Sequence, residues 1–492
     1  MTVDPRTPVL VGVGVAHQRF DDPADGLEAI ELMALAAERA ADDAGSAALL
    51  AAADEIVVPS GSWQYRDPGR LLAQRFGATD ARTVVAQFGI LQLTPFTRAS
   101  DAIAAGGADV VLVAGGEARF RALRGTITGQ GAPDTVQDES VVADETLTPA
   151  HEIITRQEIE AKLINAPLQY SILESAWRTA HGQSVDDNVR DTAELWARFA
   201  AIAAANPDAW RRDGFDAKFL ATASEKNPML AAPYRKWNVS QWNVDQASAF
   251  ILCANEVADR VGVPDDRRVY PHAIVEGNHM VPVSKRAQLH RSPQVRLNGE
   301  LLRELTGFAP GDADLVDLYS CFPIAVKVQA AELGIDRGRD LTVTGGMTFG
   351  GGPVNNYTFQ AVAKLVERLR EQPGSIGVNT AISGMITKHA IALWSTTPPA
   401  AGFRHGDVTD EAAAQTETVE PLEGHSGPAT VEGYTVSFDQ GEAAYAAALA
   451  RTDAGDRCVV RSDDPELAGA MAAEEWNGRT VTCTGSQFTA SA

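Results

Sequence analysis

Long apolar runs are missing from this chain of 492 residues. None reaches the ~18–20 residues that a helix needs to span a bilayer. Basic residues are in deficit, 42 Lys and Arg against 65 Asp and Glu, for a net charge of −23. A nucleic-acid binder needs a basic footprint to displace counterions, and anionic lipid repels an acidic surface. Neither nucleic acid nor membrane is expected as a partner. Cysteine is scarce: Cys253, Cys321, Cys458 and Cys483 form no CxxC and no Cys/His cluster with zinc spacing. No metal site and no disulfide framework is expected, and a reducing, cytoplasmic compartment is the default. Residues 1–18 lack a basic leader, an apolar block and a small-residue cleavage site, so no secretion signal is expected. Nucleotide loops are absent too. No GK[ST] follows the glycines of 345–352, and GVGV at 12–15 lacks a third glycine at the right offset.

What is present is an alternation. Residues 7–15 (TPVLVGVGV) read as a buried strand, 26–44 as a helix ended by Gly45, 55–59 as a strand and 68–76 as a helix. A strand at 83–86, a helix at 90–105 closed by Gly106 and Gly107, and a strand at 109–114 follow. Alternating β and α with continuous apolar strands predicts a parallel or mixed sheet covered on both faces. Residues 119–243 are richer in charge, Trp and Gln and mostly helical in pattern, as at 150–161 and 192–205, and read as an inserted cap. Buried-strand character returns at 244–253. Strands are then predicted at 269–276, 313–317, 341–344, 375–382 and 390–395, with helices at 292–305, 321–333 and 356–370. The order helix, Gly break, apolar strand, Gly turn occurs in IAAGGADVVLVAGG and again in LREQPGSIGVNTAISG, which points to a duplicated α/β unit. Residues 398–428 read as a linker. From 429 short β-rich pieces with a helix at 465–475 predict a small open barrel or a similar β domain. The units are thus 1–118 with 244–268, 119–243, 269–397, the linker 398–428, and 429–492.

Five stretches, taken in order, carry a family likeness. They are IAAGGADVVLVAGGEA (103–118), NP…VDQASAFIL (227–252), LYSCFP (318–323), GGMTFGGGP (345–353) and NTAISG (379–384). Together they resemble the thiolases over roughly residues 7–396, notably the sterol-carrier-protein-type enzymes and the thiolase-like proteins of type 1. The fused C-terminal β domain fits the type 1 group. The resemblance implies an α/β thiolase fold: duplicated βαβαβαββ halves in five α-β-α-β-α layers, a helical loop-domain insertion and an OB-like β domain. It implies CoA or acyl-CoA as ligand or substrate, acyltransferase-family chemistry of lipid metabolism, and no covalently bound cofactor. Thiolases usually dimerise through the first α/β unit; with an added domain and altered loops, monomer and homodimer both stand.

Thiolase chemistry needs a low-pKa thiolate at a helix N-terminus, a His to activate it and a second Cys to shuttle the α-proton. Here the entry to the first-half helix reads Gln87, Phe88, Gly89, Ile90, Leu91, with no nucleophile. The GHP histidine position is Gly352, the Asn or His of the NEAF or HDCF loop is Tyr319, and the CxG cysteine falls near Ala381. A covalent acyl-enzyme through the usual residues is not expected.

Candidates remain. Tyr319 lies where thiolase-type sites place polar donors, and thiolase-fold aldolases use Tyr in this kind of loop; the alternative is a packed phenol. Cys321 matches the HDCF cysteine, a proton shuttle in related enzymes, or is a small buried hydrophobe. His279 ends a strand and is a candidate for the same cleft. Lys388 and His389 are basic groups after the CxG-like loop, to meet a phosphate or carboxylate or to serve as a solvated strand edge. Gly345, Gly346, Gly350, Gly351 and Gly352 allow backbone N–H groups to cradle a thioester oxygen, or allow tight packing. With Gly89 and Ala381 they outline a CoA cleft. Two readings follow. One is an enzyme of acyl-CoA carbon–carbon bonds without an acyl-enzyme, retro-aldol cleavage through Tyr319 being the chemically simplest. The other is a non-catalytic acyl-CoA carrier or partner-binding protein.

Overall fold

In the computed structural model, residues 3–150 and 153–491 are described. Among them, apolar β-branched runs form a six-stranded sheet from the first half. Its spatial order is Pro8–His17, Asp245–Ala254, Val110–Ala118, Glu55–Pro59, Arg82–Ala86 and Glu145–Leu147. Asp245–Ala254 runs antiparallel to both neighbours, and the three outer pairings are parallel. All its residues are buried, as in a strand covered on both faces. A second sheet has the order Leu315–Asp317, Ile376–Ser383, Lys388–Ser395, Tyr270–Gly277 and Arg404–Asp407.

Two helices, Thr94–Ala104 and Tyr357–Glu371, lie between the sheets. The ring of Phe96 shows the sandwich directly. Its centroid is 5.0 Å from Phe250 of the first sheet, 5.1 Å from Phe359 of the partner helix and 5.7 Å from Trp394 of the second sheet. Outside, Ala29–Ala44 covers the first sheet and Pro293–Thr306 the second, completing the α-β-α-β-α order. Gly14 permits the close approach of Ala29–Ala44, since a Cβ there would fall 1.9 Å from the Ala36 carbonyl oxygen.

The insertion is built on two long helices, Ala166–Ala180 and Val185–Ala205, started by the side chains of Asn165 and Ser184. The helix expected at 150–161 is confined to Arg156–Glu160, where Thr155 and Glu158 form a reciprocal capping box; His151 and Glu152 lie outside the described residues. The short strand Glu145–Leu147 covers the outer edge of Arg82–Ala86, blunting an edge that would otherwise template pairing with another chain.

At the C-terminus, His425–Asp439, Glu442–Arg451, Arg457–Ser462, Gln487–Ala490 and Thr480–Gly485 pair in a ring that returns to the first strand. Helix Pro465–Ala473 lies between the third and fourth strands in chain order. The small β domain predicted from the sequence is present, and its ring closes through the parallel pair Arg461 and Gln487. The barrel is stitched to the insertion: Met229–Ala231 pairs with His425–Asp439, and Arg178 donates to the Tyr434 hydroxyl at 2.9 Å and to Glu475 at 2.6 Å.

Three local expectations are corrected. Residues 341–344 form no strand, because side chains take their amides. The Asp317 carboxylate accepts from Val343 N at 2.9 Å and Thr344 N at 3.2 Å, so the one backbone bond from Leu318 N to the Leu341 carbonyl at 2.9 Å is not continued into a ladder. The helix expected at 90–105 starts at Thr94, after Gly89 turns with φ +97°. The segment 398–428, predicted as a linker, carries the strand Arg404–Asp407 and the helix Thr409–Gln415. That strand adds parallel to Tyr270–Gly277 through backbone bonds, which Pro, Gly and Ala content does not reveal. No helix among the described residues is long and apolar enough to cross a membrane.

Candidate functional site

The loop between strand Leu315–Asp317 and helix Pro323–Glu332 carries Tyr319, Ser320 and Cys321, all buried. Its backbone is fixed from the second sheet. Tyr319 N donates to Thr380 Oγ1 at 2.8 Å, and Gln329 Nε2 donates to the Tyr319 carbonyl at 2.8 Å. Gln92, just ahead of helix Thr94–Ala104, donates to the Tyr319 hydroxyl at 3.5 Å and accepts from Thr358 N at 2.7 Å. It therefore ties the first half to the phenol. The Cys321 thiol donates to the Tyr170 hydroxyl at 3.3 Å, and Tyr170 stacks on Phe322 at 4.2 Å.

This row is electrically quiet. Burial drives the Tyr319 and Tyr170 phenols well up, and it pushes the Cys321 thiol up to about 12. All three keep their protons at neutral pH. None is a ready base, and Cys321 is no thiolate.

Three positions that the sequence reading set against the thiolase reaction centre, Gly89, Gly352 and Ala381, carry no ionisable or nucleophilic side chain. Gly89 has only backbone groups to offer, its carbonyl accepts from Lys388 Nζ, and Pro149 lies 3.0 Å from where a Cβ would stand. A Cβ on Gly352 would fall 2.2 Å from Ser240 Oγ, so no imidazole fits there without rearrangement. Ala381 presents a fully buried methyl in strand Ile376–Ser383. The glycine run spends its amides internally. Gly345 N and Gly346 N donate to Thr342 Oγ1 at 3.0 and 3.1 Å, Gly350 N to the Gly346 carbonyl at 2.7 Å, and Gly352 N to the Gln241 carbonyl at 2.9 Å. Four of the five N–H groups of the expected cradle thus have acceptors within the protein, and Gly351 has φ +111°, with Gln246 where a Cβ would stand.

Strand alternation separates the two basic candidates. Lys388 turns inward to Gly89; burial lowers its pKa, with Glu276 opposing. Glu276 in turn accepts from Thr94 Oγ1 at 2.9 Å and Thr97 Oγ1 at 2.7 Å. His389 faces the other way, where Asn298 of the outer helix Pro293–Thr306 donates to its Nδ1 at 2.9 Å. Burial pushes His389 down to about 3, a neutral core imidazole apart from the cleft. His279 is half-buried at the end of strand Tyr270–Gly277, where its backbone bonds Gln294 and Thr387.

Sequence reasoning missed a groove of 750 Å³ lined by His17, Arg19, Trp210, Arg211 and Arg212. The Arg19 guanidinium lies 4.0 Å from the Trp210 ring centroid. Trp210 N and Arg211 N bond the carbonyls of Gly350 and Phe349 at 2.9 and 2.7 Å, so the groove borders the glycine run. The local WRR of 210–212 was the available signal. None of the five main cavities is lined by Tyr319, Cys321, Gly89 or Ala381.

No protein-family model and no curated protein matches the chain. Solved structures do. A monomeric SCP2-thiolase-like protein type 1 from Mycobacterium smegmatis is 27% identical, with 100% of each chain covered and a TM-score of 0.82. The Ltp2-ChsH2(DUF35) aldolase is 18% identical over 80% of this chain and 98% of that one, TM-score 0.58. Human mitochondrial 3-ketoacyl-CoA thiolase in complex with CoA is 15% identical over 80% of this chain and 99% of that one, TM-score 0.56. The latter two speak to the fold alone. With the ordered motifs, the five layers and the full-length match, the chain belongs to the thiolase superfamily.

Proposed function

We propose that this protein binds CoA or acyl-CoA as a free thioester and forms no acyl-enzyme. The observation that carries the reading is the groove beside the glycine run. In a chain of net charge −23, His17, Arg19, Arg211 and Arg212 gather around Trp210. Guanidinium groups suit phosphate oxygens. Arg19 is held over the buried Trp210 ring, and Arg211 is balanced by Asp213 at 2.9 Å, which leaves Arg19 and Arg212 as the groove's guanidinium donors without an ion pair among the described residues. The CoA complex of a protein with the same fold supports the ligand class by analogy. Gly89 and Gly352 argue against covalent transfer because neither has a side chain to supply.

A second reading is favoured by one contact, the protonated Tyr319 phenol held by Gln92. In it the Cα–Cβ bond of a β-hydroxyacyl-CoA breaks by retro-aldol cleavage, and the β-hydroxyl gives its proton to water as it becomes a carbonyl. The phenol donates a hydrogen bond to the thioester enolate oxygen, and the enolate carbon takes a proton back from water. Turnover of a β-hydroxyacyl-CoA panel that Tyr319→Phe abolishes supports this reading; no turnover leaves binding alone.

In our reading the protein is a monomer in the cytoplasm, with strand Glu145–Leu147 covering the sheet edge and all four cysteines as buried thiols. The barrel is read as OB-like from its strand order and the place of its helix, and as a ligand- or partner-binding module. The test of the main reading is calorimetric titration with CoA and acetyl-CoA. Saturable binding, weakened about tenfold or more by Arg19→Ala, is expected. No heat with any CoA species, for protein shown to be folded, overturns it.

A further inference from the structure

A second polar pocket sits on the other half of the molecule and shares no residue with the Trp210 groove. Its centre is Arg286, only 7% exposed. Nε donates to the Val281 carbonyl at 3.1 Å and Nη2 to the Gly384 carbonyl at 3.3 Å. Nη1 meets no acceptor among the described residues, and no carboxylate there lies within ion-pair distance of the guanidinium. Glu158 is felt at longer range, but its oxygens already accept from Ser284 N at 2.7 Å and Thr155 N at 2.8 Å.

Four other buried cations are paired directly, while Lys388, which bonds the Gly89 carbonyl, has the buried Glu276 carboxylate as its nearby counter-charge. Arg178 has Glu475 at 2.6 Å, Arg268 has Asp259 at 2.6 Å, Arg457 has Glu432 at 2.8 Å and Lys327 has Glu174 at 2.7 Å. An unpaired charge out of water is costly, and arginine does not escape the cost by losing its proton at neutral pH. Burial lowers Arg286 only to about 10.

Arg286 opens onto a cavity of 130 Å³ lined also by Gln288, Arg291, Ser292, Gln294 and Gln415. One water needs only ~10–15 Å³ of such space, so a group of several heavy atoms fits. Helix Pro293–Thr306, 14 residues long, begins at the cavity. Its first residue has no N–H, the Ser292 N–H before it donates to Glu332 at 3.0 Å, and the Gln294 backbone N–H meets no acceptor among the described residues; that backbone N–H and the helix dipole favour an anion there. Arg291 is balanced by Glu332 at 2.6 Å. Glu417 stands at the rim, its carbonyl held by Ala287 N at 3.1 Å.

We propose that this pocket is an oxyanion site, in which Arg286 and the start of helix Pro293–Thr306 bind phosphate or the carboxylate of a small acid. The fork of guanidinium donors matches either group, and the volume excludes CoA itself. The inference goes beyond the CoA reading and does not depend on it.

The test is calorimetric titration of the full-length protein with inorganic phosphate and, separately, with succinate, with a CoA titration alongside so that the two sites fail or succeed independently. Saturable binding of either anion, reduced about tenfold or more in Arg286→Met, is expected. Saturation by phosphate alone identifies a tetrahedral anion and by succinate alone a carboxylate; each supports the site. Arg286→Lys, which keeps the charge and loses the fork, is expected to fall between. No saturable binding of either anion to the wild type, or equal binding by folded Arg286→Met, overturns the proposal. Should Arg286→Met not fold, wild-type crystals grown with selenate decide. An anomalous peak against Arg286 supports the site, and an empty pocket at saturating selenate overturns it.

Discussion

Lys327 and Arg286 are both cations taken out of water, and they are held in opposite ways. Lys327, fully buried, meets Glu174 at 2.7 Å, Asp191 at 3.0 Å and Thr192 Oγ1 at 2.9 Å. Glu174 also accepts from the Tyr234 hydroxyl and from Asn188 Nδ2, each at 2.7 Å. The cluster joins helix Pro323–Glu332 of the second half to both long helices of the insertion. Arg286 has two carbonyls and a cavity. The contrast separates charge used as structure from charge left for something outside the chain. His389 adds a third case: a buried base with no anion, which solves the problem by staying neutral.

Breaking Lys327 is expected to have the largest effect. Lys327→Met strands the buried Glu174 carboxylate, while Asp191 keeps Arg337 at 2.7 Å, and should cost about 3–5 kcal/mol in denaturant unfolding. A cost near zero would show that the pair is not structural. His389 comes next. Its folded pKa, about 3, lies below the ordinary 6.5, so the unfolded chain binds the proton first. Its contribution is intact above pH ~6.5 and falls by about 1.4 kcal/mol per pH unit as pH drops towards about 3. His389→Gln should flatten that part of a stability–pH curve; an unchanged slope contradicts the buried neutral imidazole.

Arg286→Met, in buffer free of multivalent anions, should change stability by no more than about 1.5 kcal/mol, because it loses two hydrogen bonds and strands no counter-charge. A loss as large as that of Lys327→Met would erase the comparison. The smallest effect belongs to Tyr319→Phe. Its hydroxyl makes one long bond, 3.5 Å to Gln92, so about 1 kcal/mol or less is expected, with CoA affinity unchanged by calorimetry.

The sequence made the layers legible because their signals are local. Valine and isoleucine runs, glycine stops and the ordered motifs outlined both sheets, without the edge strands Glu145–Leu147 and Arg404–Asp407, and the central helices; the want of a nucleophile could be read from the short stretch 87–91. What it hid depends on partners far along the chain. The strand expected at 341–344 is undone by Asp317, a residue of the preceding strand whose burial no periodicity marks. The segment 398–428 pairs by backbone with an edge over a hundred residues earlier. Gln92 was passed over because nothing local shows that it bridges Tyr319 and Thr358. Arg286 sits in a polar SKRAQ run that reads as surface. The basic candidates Lys388 and His389 were read together, yet strand alternation sends them to opposite faces.

The central claim is that the superfamily's covalent chemistry is closed in this chain. Intact-protein mass spectrometry after incubation with acetyl-CoA tests it most directly. The account predicts an unchanged mass, since Gly89 offers no nucleophile and burial keeps Cys321 protonated. An adduct of one acetyl group that maps to Cys321 or any residue of the Tyr319 loop would contradict it.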